Sequence, residues 1–216
     1  MKRYLLWISI AAPSIVIIGF FWLMLNEPGN QQSRTAPVRV SGEASIGGPF
    51  TLVDHTGRTV SEADFLGKPM LIYFGYTFCP DVCPFSLQIM AAALDQLPAE
   101  MRDQFQPVLI TVDPRRDTVE HLAQYVSSPA FPDGLVGLTG TEEQIRAVTS
   151  AYRVVFQQAD AEEGGDGSDL DYLMDHTSFI YLMNAEGRFE DVFPHGANPE
   201  TIAARLQEFI ENTPRN

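Results

Sequence analysis

Residues 70–84 read MLIYFGYTFCPDVCP, a stretch that begins apolar and ends with two cysteines four positions apart. The apolar run from Pro69 to Gly75 is typical of a strand that is buried on both faces of a parallel sheet. From about Pro80 to Leu97, apolar residues recur close to the 3.6-residue period of a helix. The stretch therefore predicts a buried strand followed by a helix, with Cys79 and Cys83 at the turn between them.

The two thiols are expected to share one face of that helix, because residues four positions apart lie on the same face. Pro80 suits the first helical position, which makes Cys79 the expected N-cap residue. The helix dipole and the free N–H groups at the helix start then favour the thiolate form of Cys79. Two converging thiols can close a disulfide or hold a soft metal ion, and the spacing alone leaves both open.

A metal site needs at least one ligand besides the thiols. Two thiolates suit Cu(I), and one imidazole completes a three-coordinate site, whereas Zn(II) usually takes four ligands. The chain has four histidines. We favour His176, because it directly precedes a predicted strand and follows an acidic loop at residues 157–171. His195 lies at the end of a predicted strand and is a weaker candidate, and His55 and His121 are expected to be solvated surface residues.

The rest of the sequence alternates strand and helix patterns and ends with a hairpin and a helix. Strand patterns occupy residues 105–112, 135–138 and 153–156, helix patterns 117–126, 141–152 and 201–210, and hairpin patterns 50–60 and 178–193. Strands that alternate with helices predict an α/β domain, with a central mixed sheet flanked by helices and an N-terminal hairpin. In open α/β sheets, ligands bind at the carboxyl ends of the strands, which is where the two cysteines are expected.

The N-terminus has the pattern of a membrane anchor. Lys2 and Arg3 precede an uncharged run from Tyr4 to Leu25, which as a helix spans about 33 Å, enough to cross a bilayer. The alternative is a cleaved signal peptide, whose apolar part is usually about 7–15 residues and therefore shorter than this run. We interpret residues 1–25 as an uncleaved transmembrane helix.

The predicted topology follows from the position of the basic residues. Because they precede the span, the N-terminus is expected on the cytoplasmic side and the folded domain in the periplasm. Residues 26–48 are rich in Gly, Pro, Ser and Gln, which predicts a flexible tether, and residues 49–213 form the folded domain. The prediction is a single-pass protein of the inner membrane.

The charge of the chain limits its partners. The formal net charge is −14, and outside Lys2 and Arg3 it is −16, from 12 basic and 28 acidic residues. Such a surface argues against nucleic acid or an anionic membrane surface as a ligand, and it favours cations or basic partners. Residues 154–187 hold eight acidic residues and neither Lys nor Arg. This region either attracts cations or is simply a solvated acidic loop.

Three segments together resemble the signature of the SCO/SenC family. They read YFGYTFCPDVCP at residues 73–84, TVDPRRDT at 111–118 and DHTSFIYL at 175–182. The resemblance extends over about residues 50–210. Members of this family are membrane-anchored, thioredoxin-like copper proteins that assist the assembly of cytochrome c oxidase. One departure is Phe78, where many relatives carry histidine.

The resemblance implies a thioredoxin-like fold and a copper ion, Cu(I) or Cu(II), bound by Cys79, Cys83 and His176. It implies a metallochaperone that helps to assemble the binuclear copper site of the oxidase, with the copper-accepting oxidase subunit as its partner. The alternative is a thiol–disulfide oxidoreductase, in which Cys79 and Cys83 are a redox pair that keeps the cysteines of that subunit reduced. A peroxidase is a weaker third possibility. Periplasmic copper chaperones or thiol reductants are further possible partners.

His176 separates the first two functions, because a copper site needs an imidazole and a redox dithiol does not. A thioredoxin would carry a cis-proline near this point of its sequence, and residues 175–178 contain no proline. Both observations favour metal binding.

The predicted topology can be tested with a reporter fused after Gly48. A reporter that works only in the periplasm should be active, because the basic residues precede the span. Activity of a cytoplasm-only reporter at the same position would contradict the topology. N-terminal sequencing of the mature chain is the control, since a start beyond residue 30 would indicate a cleaved signal peptide.

Overall fold

The computed structural model of the protein describes residues 46–159 and 172–213. Within them, seven strands form one sheet in the order β2-β1-β5-β4-β3-β8-β9, and β6 and β7 form a separate two-stranded sheet. The strands are β1 (Thr51–Asp54), β2 (Thr59–Ser61), β3 (Met70–Gly75), β4 (Gln106–Thr111), β5 (Val136–Thr139), β6 (Phe156–Gln158), β7 (Met174–His176), β8 (Phe179–Met183) and β9 (Phe189–Pro194).

The centre of the large sheet is parallel and its borders are antiparallel. β4 pairs in parallel with both β3 and β5. The hairpin β1–β2 joins β5, and the hairpin β8–β9 joins β3, in each case antiparallel. All six residues of β3 are buried, as a continuous apolar run predicts for a central strand. The prediction of a central mixed sheet with an N-terminal hairpin is confirmed.

The helices cover the sheet with apolar faces. They are α1 (Val82–Asp95), α2 (Ala99–Arg102), α3 (Val119–Val126), α4 (Glu142–Ala151) and α5 (Pro199–Asn212), and a 3₁₀ helix spans Glu62–Phe65. Side chains cap three of them: Thr118 accepts the N–H of His121, Thr141 that of Gln144, and Asn198 that of Thr201. The capping box predicted at Thr141 is present.

Helix α1 begins later than the sequence predicts. Asp81, not Cys79, is its N-cap residue, with φ −143° and ψ −67°, and Pro80 lies before the helix. The expected N-cap position of Cys79 is therefore wrong. The physical reason is that the Cys79 N–H bonds to the carbonyl of Tyr76 at 3.4 Å, so the chain still turns at this point.

Some predictions fall outside the described residues. These are the transmembrane helix at residues 1–25, the tether up to residue 45 and residues 160–171 of the acidic loop. Among the helices that the structure does describe, none is both long enough and apolar enough to cross a membrane. The division of the chain at residues 25 and 48 stays a prediction.

The turn between β1 and β2 is held by one buried carboxylate. Asp54 accepts hydrogen bonds from the N–H and hydroxyl of Thr56 and from the N–H and Nε of Arg58, at 2.6–3.1 Å. Burial opposes ionisation of Asp54, but these hydrogen bonds outweigh it and lower the pKa to about 2. An unfolded Asp has a pKa of about 3.9. The stability from this lowered pKa is therefore fully present well above pH 4 and is lost as the pH falls towards 2.

Replacing Asp54 with Asn should lower the free energy of unfolding by about 2 kcal/mol at pH 7. The difference from the wild type should shrink as the pH falls from about 5 to 2, because the wild-type carboxylate is then protonated as well. Urea unfolding of both proteins across this range measures the difference, with the exposed Asp133→Asn as a control. A difference that stays constant across the range would contradict the assignment.

Candidate metal centre

The two cysteines and His176 lie at the carboxyl end of β3, as the sequence predicts. Cys79 is in the turn after β3, Cys83 is in the first turn of α1, and His176 ends β7. The Cys83 sulfur is 3.3 Å from Nε2 of His176, and the Cys83 N–H donates to the Cys79 sulfur at 3.3 Å. Both thiols are free, with Cys83 fully buried and Cys79 partly exposed. The structure thus brings together the three residues that were singled out.

The ring of His176 is oriented by its other nitrogen. Nδ1 lies 3.2 Å from the carbonyl of Thr177, which can only accept, so Nδ1 carries the proton in that bond. In the neutral ring, Nε2 then presents its lone pair to Cys83. The rings of Tyr73 and Tyr76 stand edge-on to the imidazole at 6.1 and 5.9 Å between centroids. The imidazole is therefore held with a free ligand atom directed at the thiols.

The two thiols have opposite electrostatic environments. A hydrogen bond from the Cys83 thiol lowers the pKa of Cys79 to about 3 against the effect of burial. The N–H groups of Asp81 and Cys83 also favour the Cys79 thiolate. The same hydrogen bond, together with burial, raises the pKa of Cys83. At neutral pH the pair is thus a thiolate at the surface and a thiol beneath it.

Hydrogen bonds to the buried carboxylate of Asp117 hold the turn that contains Cys79 in place. Asp117 accepts the N–H of Thr77 at 3.0 Å, the hydroxyl of Thr77 at 2.7 Å and the hydroxyl of Thr111 at 2.6 Å. Thr111 ends β4, so the carboxylate joins the turn to the neighbouring strand. Burial raises the pKa of Asp117, while these hydrogen bonds act in the opposite direction.

A buried ion pair connects the cysteine turn with the segment that leads to His176. Arg116 pairs with Asp113, and its Nη1 donates to the carbonyl of Tyr172 at 2.7 Å. The hydroxyl of Tyr172 donates to Asp113 at 2.8 Å. The guanidinium lies 3.8 Å from the ring centre of Tyr172 and 4.9 Å from that of Phe78, the neighbour of Cys79.

This ion pair is not among the predicted site residues, although it lies in the segment at residues 111–118 that forms part of the family resemblance. A usable signal was present: Asp113, Arg116 and Asp117 closely follow strand β4, in which every residue after Gln106 is buried. Three charged residues that follow a buried strand lie at the site edge of the sheet, and where they are buried there they require partners.

The site opens to the surface through a cavity of about 240 Å³. Its walls include Cys79, His176, Leu173 and the carboxylates of Asp81 and Asp175, and no Lys or Arg is among the lining residues. Within residues 46–159 and 172–213, no group of three or more His, Cys, Asp or Glu side chains is placed so that it could hold a metal ion as it stands. The described geometry is a hydrogen-bonded thiol–imidazole cluster, in which a metal ion would replace the thiol proton.

The other three histidines have different partners. Nδ1 of His195 lies 3.2 Å from the hydroxyl of Ser86. His121 is exposed, as expected for a surface residue, and its Nδ1 lies 2.7 Å from the carbonyl of Arg116. His55 is half-buried and accepts the N–H of Gly137 at 3.2 Å, so the expectation of a merely solvated side chain is wrong for this residue.

Comparison with known proteins places this arrangement in a family. The sequence profile described as SCO1/SenC matches residues 38–211. The chain belongs to the SCO1/SenC family. Its domain accordingly has the mixed α/β, thioredoxin-like fold of the Sco structures, and this part of the prediction is confirmed.

Relatives in the family extend over most of the chain. The mitochondrial SCO2 homolog of Bos taurus is 42% identical over 198 residues, which cover 89% of this chain and 71% of that protein. Protein SenC of Rhodobacter capsulatus is 38% identical and covers 94% and 89%. The structure of Bradyrhizobium japonicum ScoI with copper bound is 41% identical, with a TM-score of 0.66 over 76% of this chain and 99% of that one.

The unequal environments of the two thiols predict unequal reactivity. A short treatment of the reduced protein with iodoacetamide at about pH 6 should modify Cys79 much faster than Cys83. The reason is that Cys79 is a partly exposed thiolate, whereas Cys83 is a buried thiol. Because trypsin leaves both cysteines on one peptide, fragmentation of that peptide in the mass spectrometer assigns the label to each sulfur and measures the two rates. In the matched variant Cys79→Ser the slow rate of Cys83 should be seen alone, and faster modification of Cys83 in the wild type would contradict the assignment.

Proposed function

We propose that this protein is a copper metallochaperone that binds one copper ion through Cys79, Cys83 and His176. Its target is the copper-accepting subunit of cytochrome c oxidase, in which it assists assembly of the binuclear copper site. The observation that carries the proposal is that Nε2 of His176 lies 3.3 Å from the Cys83 sulfur at the sheet edge, while the Cys79 sulfur accepts the backbone N–H of the same Cys83 at 3.3 Å. Support comes from family members of 36–41% identity whose structures hold copper.

The donor set matches the chemistry of the cargo. Thiolate sulfur and imidazole nitrogen are the ligands that Cu(I) prefers, and two sulfurs with one nitrogen fit three-coordination. Binding requires loss of the Cys83 proton, whose pKa is raised, so copper affinity increases with pH. Nε2 of His176 lies 3.3 Å from the Cys83 sulfur, so the imidazole is already placed beside the thiol that copper binding deprotonates.

The depth of the ligands suggests an order for copper exchange. Cys79 lines the opening of the cavity, whereas Cys83 is fully buried behind it. An incoming thiolate or imidazole of the acceptor therefore meets the copper ion from the Cys79 side. Ligand exchange then proceeds from the outer sulfur to the inner one, and the ion is never released into water.

A thiol–disulfide oxidoreductase is the second candidate, and the unequal thiols favour it. The Cys79 thiolate attacks a disulfide of the partner and forms a mixed disulfide, and one partner sulfur leaves as a thiolate. Cys83 loses its proton and attacks the Cys79 sulfur, which releases the second partner thiolate. The partner disulfide is reduced by two electrons, and Cys79 and Cys83 become a disulfide. The two functions are compatible, because both start from the reduced cysteines: copper binds the reduced pair, and it cannot bind once the pair has become a disulfide.

We further propose that the chain is a single-pass protein of the inner membrane, with residues 1–25 as the anchor, 26–48 as the tether and 49–213 as the periplasmic domain. The support is the sequence, in which Lys2 and Arg3 precede the uncharged run. Periplasmic copper chaperones or thiol reductants that load or reduce the site would be further partners.

Replacement of His176 with Ala should separate the two functions. Cu(I) affinity should fall by about 100-fold or more. Removal of a residue that only orients a metal ligand already lowers metal affinity by about 10–100-fold, and removal of the ligand itself should lower it at least as much. Formation and exchange of the Cys79–Cys83 disulfide should continue, because imidazole takes no part in thiol exchange. Competition with a chromophoric Cu(I) chelator measures affinity on the reduced full chain, and thiol titration measures the disulfide.

His195→Ala is the matched control, because His195 is also close to α1 but bonds to Ser86. It should leave both affinity and thiol exchange unchanged. Cys79→Ser and Cys83→Ser should each abolish both. In cells, full oxidase assembly with the His176 variant, once its loss of copper binding is demonstrated, would defeat the chaperone function and leave the reductase.

A further inference from the structure

Large apolar side chains are exposed around the candidate metal centre. Six such side chains are exposed among the residues that the structure describes, namely Leu66, Phe78, Phe85, Val155, Leu173 and Phe179. All except Leu66 belong to segments that build the centre or contact it. We call these five residues the apolar rim. Leu173 lines the opening of the centre, and the other four lie on segments next to it. Exposed apolar groups that cluster near a functional site are typical of an interaction surface, whereas isolated ones are common anywhere on a protein.

One part of the rim lies beside Cys79 and His176. Phe78 precedes Cys79 and is 47% exposed, although its ring also packs on Arg116. Leu173 lines the opening together with Cys79 and His176 and is 48% exposed. Val155 is bonded to the neighbour of His176, since its carbonyl accepts the N–H of Thr177 at 2.9 Å.

The other part of the rim lies beside the start of α1. Phe85 follows Cys83 by two residues, and its ring stands edge-on to His195 at 5.7 Å. Phe179 is paired in the sheet with Pro194, the residue before His195. Phe85 and Phe179 therefore both lie beside the same short segment, Pro194 and His195.

The opening itself is acidic. Asp81 and Asp175 line it and are exposed, and its lining contains neither Lys nor Arg. A second copy of the chain would place the same carboxylates opposite each other, which is unfavourable. An anionic membrane surface is disfavoured for the same reason. The charge pattern fits a protein partner that has basic residues next to an apolar patch.

We propose that the apolar rim is the docking surface for the protein that exchanges copper with this site, and that the partner carries an apolar patch bordered by Lys or Arg. This inference rests on the proposed function. Direct exchange requires ligand atoms of the partner to reach Cys79, so the surface around the opening must be covered in the complex. Exposed aromatic side chains are the groups that contribute most per residue to such contacts. Covering them also keeps water away from the exchanging ligands.

The experiment compares Phe85→Ser and Val155→Ser with Leu66→Ser in the full chain, because neither Phe85 nor Val155 is among the described residues that line the cavity. Leu66 is a matched control: it is 49% exposed and lies next to Gly187, at the opposite end of β3. The dissociation constant for the soluble domain of the oxidase copper subunit is measured by titration calorimetry, with and without copper. Cu(I) affinity is measured separately, by chelator competition.

Both rim variants should weaken the complex by more than about tenfold, as expected for contact aromatics and apolar anchors. Their Cu(I) affinity should equal that of the wild type, and Leu66→Ser should change neither quantity. The wild-type complex should also weaken as salt is added, because oppositely charged groups border the contact.

Equal dissociation constants for the wild type and the rim variants would overturn the docking surface. So would a dimer of the free chain, seen by sedimentation, that only the rim variants lose while their binding to the subunit is unchanged. Failure of the proposed function has a different signature. The wild type would then bind no Cu(I) in the chelator assay, yet a rim-dependent complex with the subunit would still form.

Discussion

The buried ion pair between Arg116 and Asp113 is the interaction on which the site depends. Two charges removed from water are costly unless each has further hydrogen bonds. Here Tyr172 supplies them, through its carbonyl to Arg116 and its hydroxyl to Asp113. Phe78 packs on the guanidinium next to Tyr172. The pair therefore holds together two segments that are far apart in sequence, one leading to Cys79 and the other to His176.

The site needs this support because its ligands come from different parts of the chain. Cys79 and Cys83 are four residues apart, but His176 is 93 residues from Cys83. Asp117 fixes the cysteine turn to β4, and Tyr76 fixes β7, since its hydroxyl accepts the N–H of Met174 at 3.1 Å. These contacts order the three side chains before any metal arrives, which lowers the entropic cost of binding.

Most of the fold could be predicted, because its main elements have strong local patterns. The apolar run of β3, the period of α1 and the capping box of α4 need no distant information. The start of α1 was wrong because the Cys79 N–H still bonds to Tyr76, a backbone detail that residue types do not encode. The expected stabilisation of the Cys79 thiolate nevertheless agrees with the structure, since its sulfur accepts the N–H of Cys83.

The parts that escaped prediction depend on contacts between distant segments. Strand β7 has only three residues, two of them polar, and it pairs with β6 rather than with the main sheet. A period of two cannot be recognised over three residues. The role of Arg116 likewise depends on Tyr172 and Phe78, which only the folded chain brings together. His176 lies beside the Cys83 sulfur, on its own strand β7 and not merely before the next strand, and its role as a metal ligand stays a prediction.

The small sheet of β6 and β7 has a consequence for the mobility of the site. A two-stranded ribbon is only marginally stable by itself, whereas β3 is paired on both sides within a seven-stranded sheet. Local opening of the ribbon therefore costs much less free energy than global unfolding of the domain. The imidazole can withdraw from the sulfurs when the pairing of β7 with β6 and its bond to Tyr76 break, while the thiols keep their places. The centre thus combines two cysteines on a rigid part of the domain, next to β3, with a histidine on a ribbon that can move.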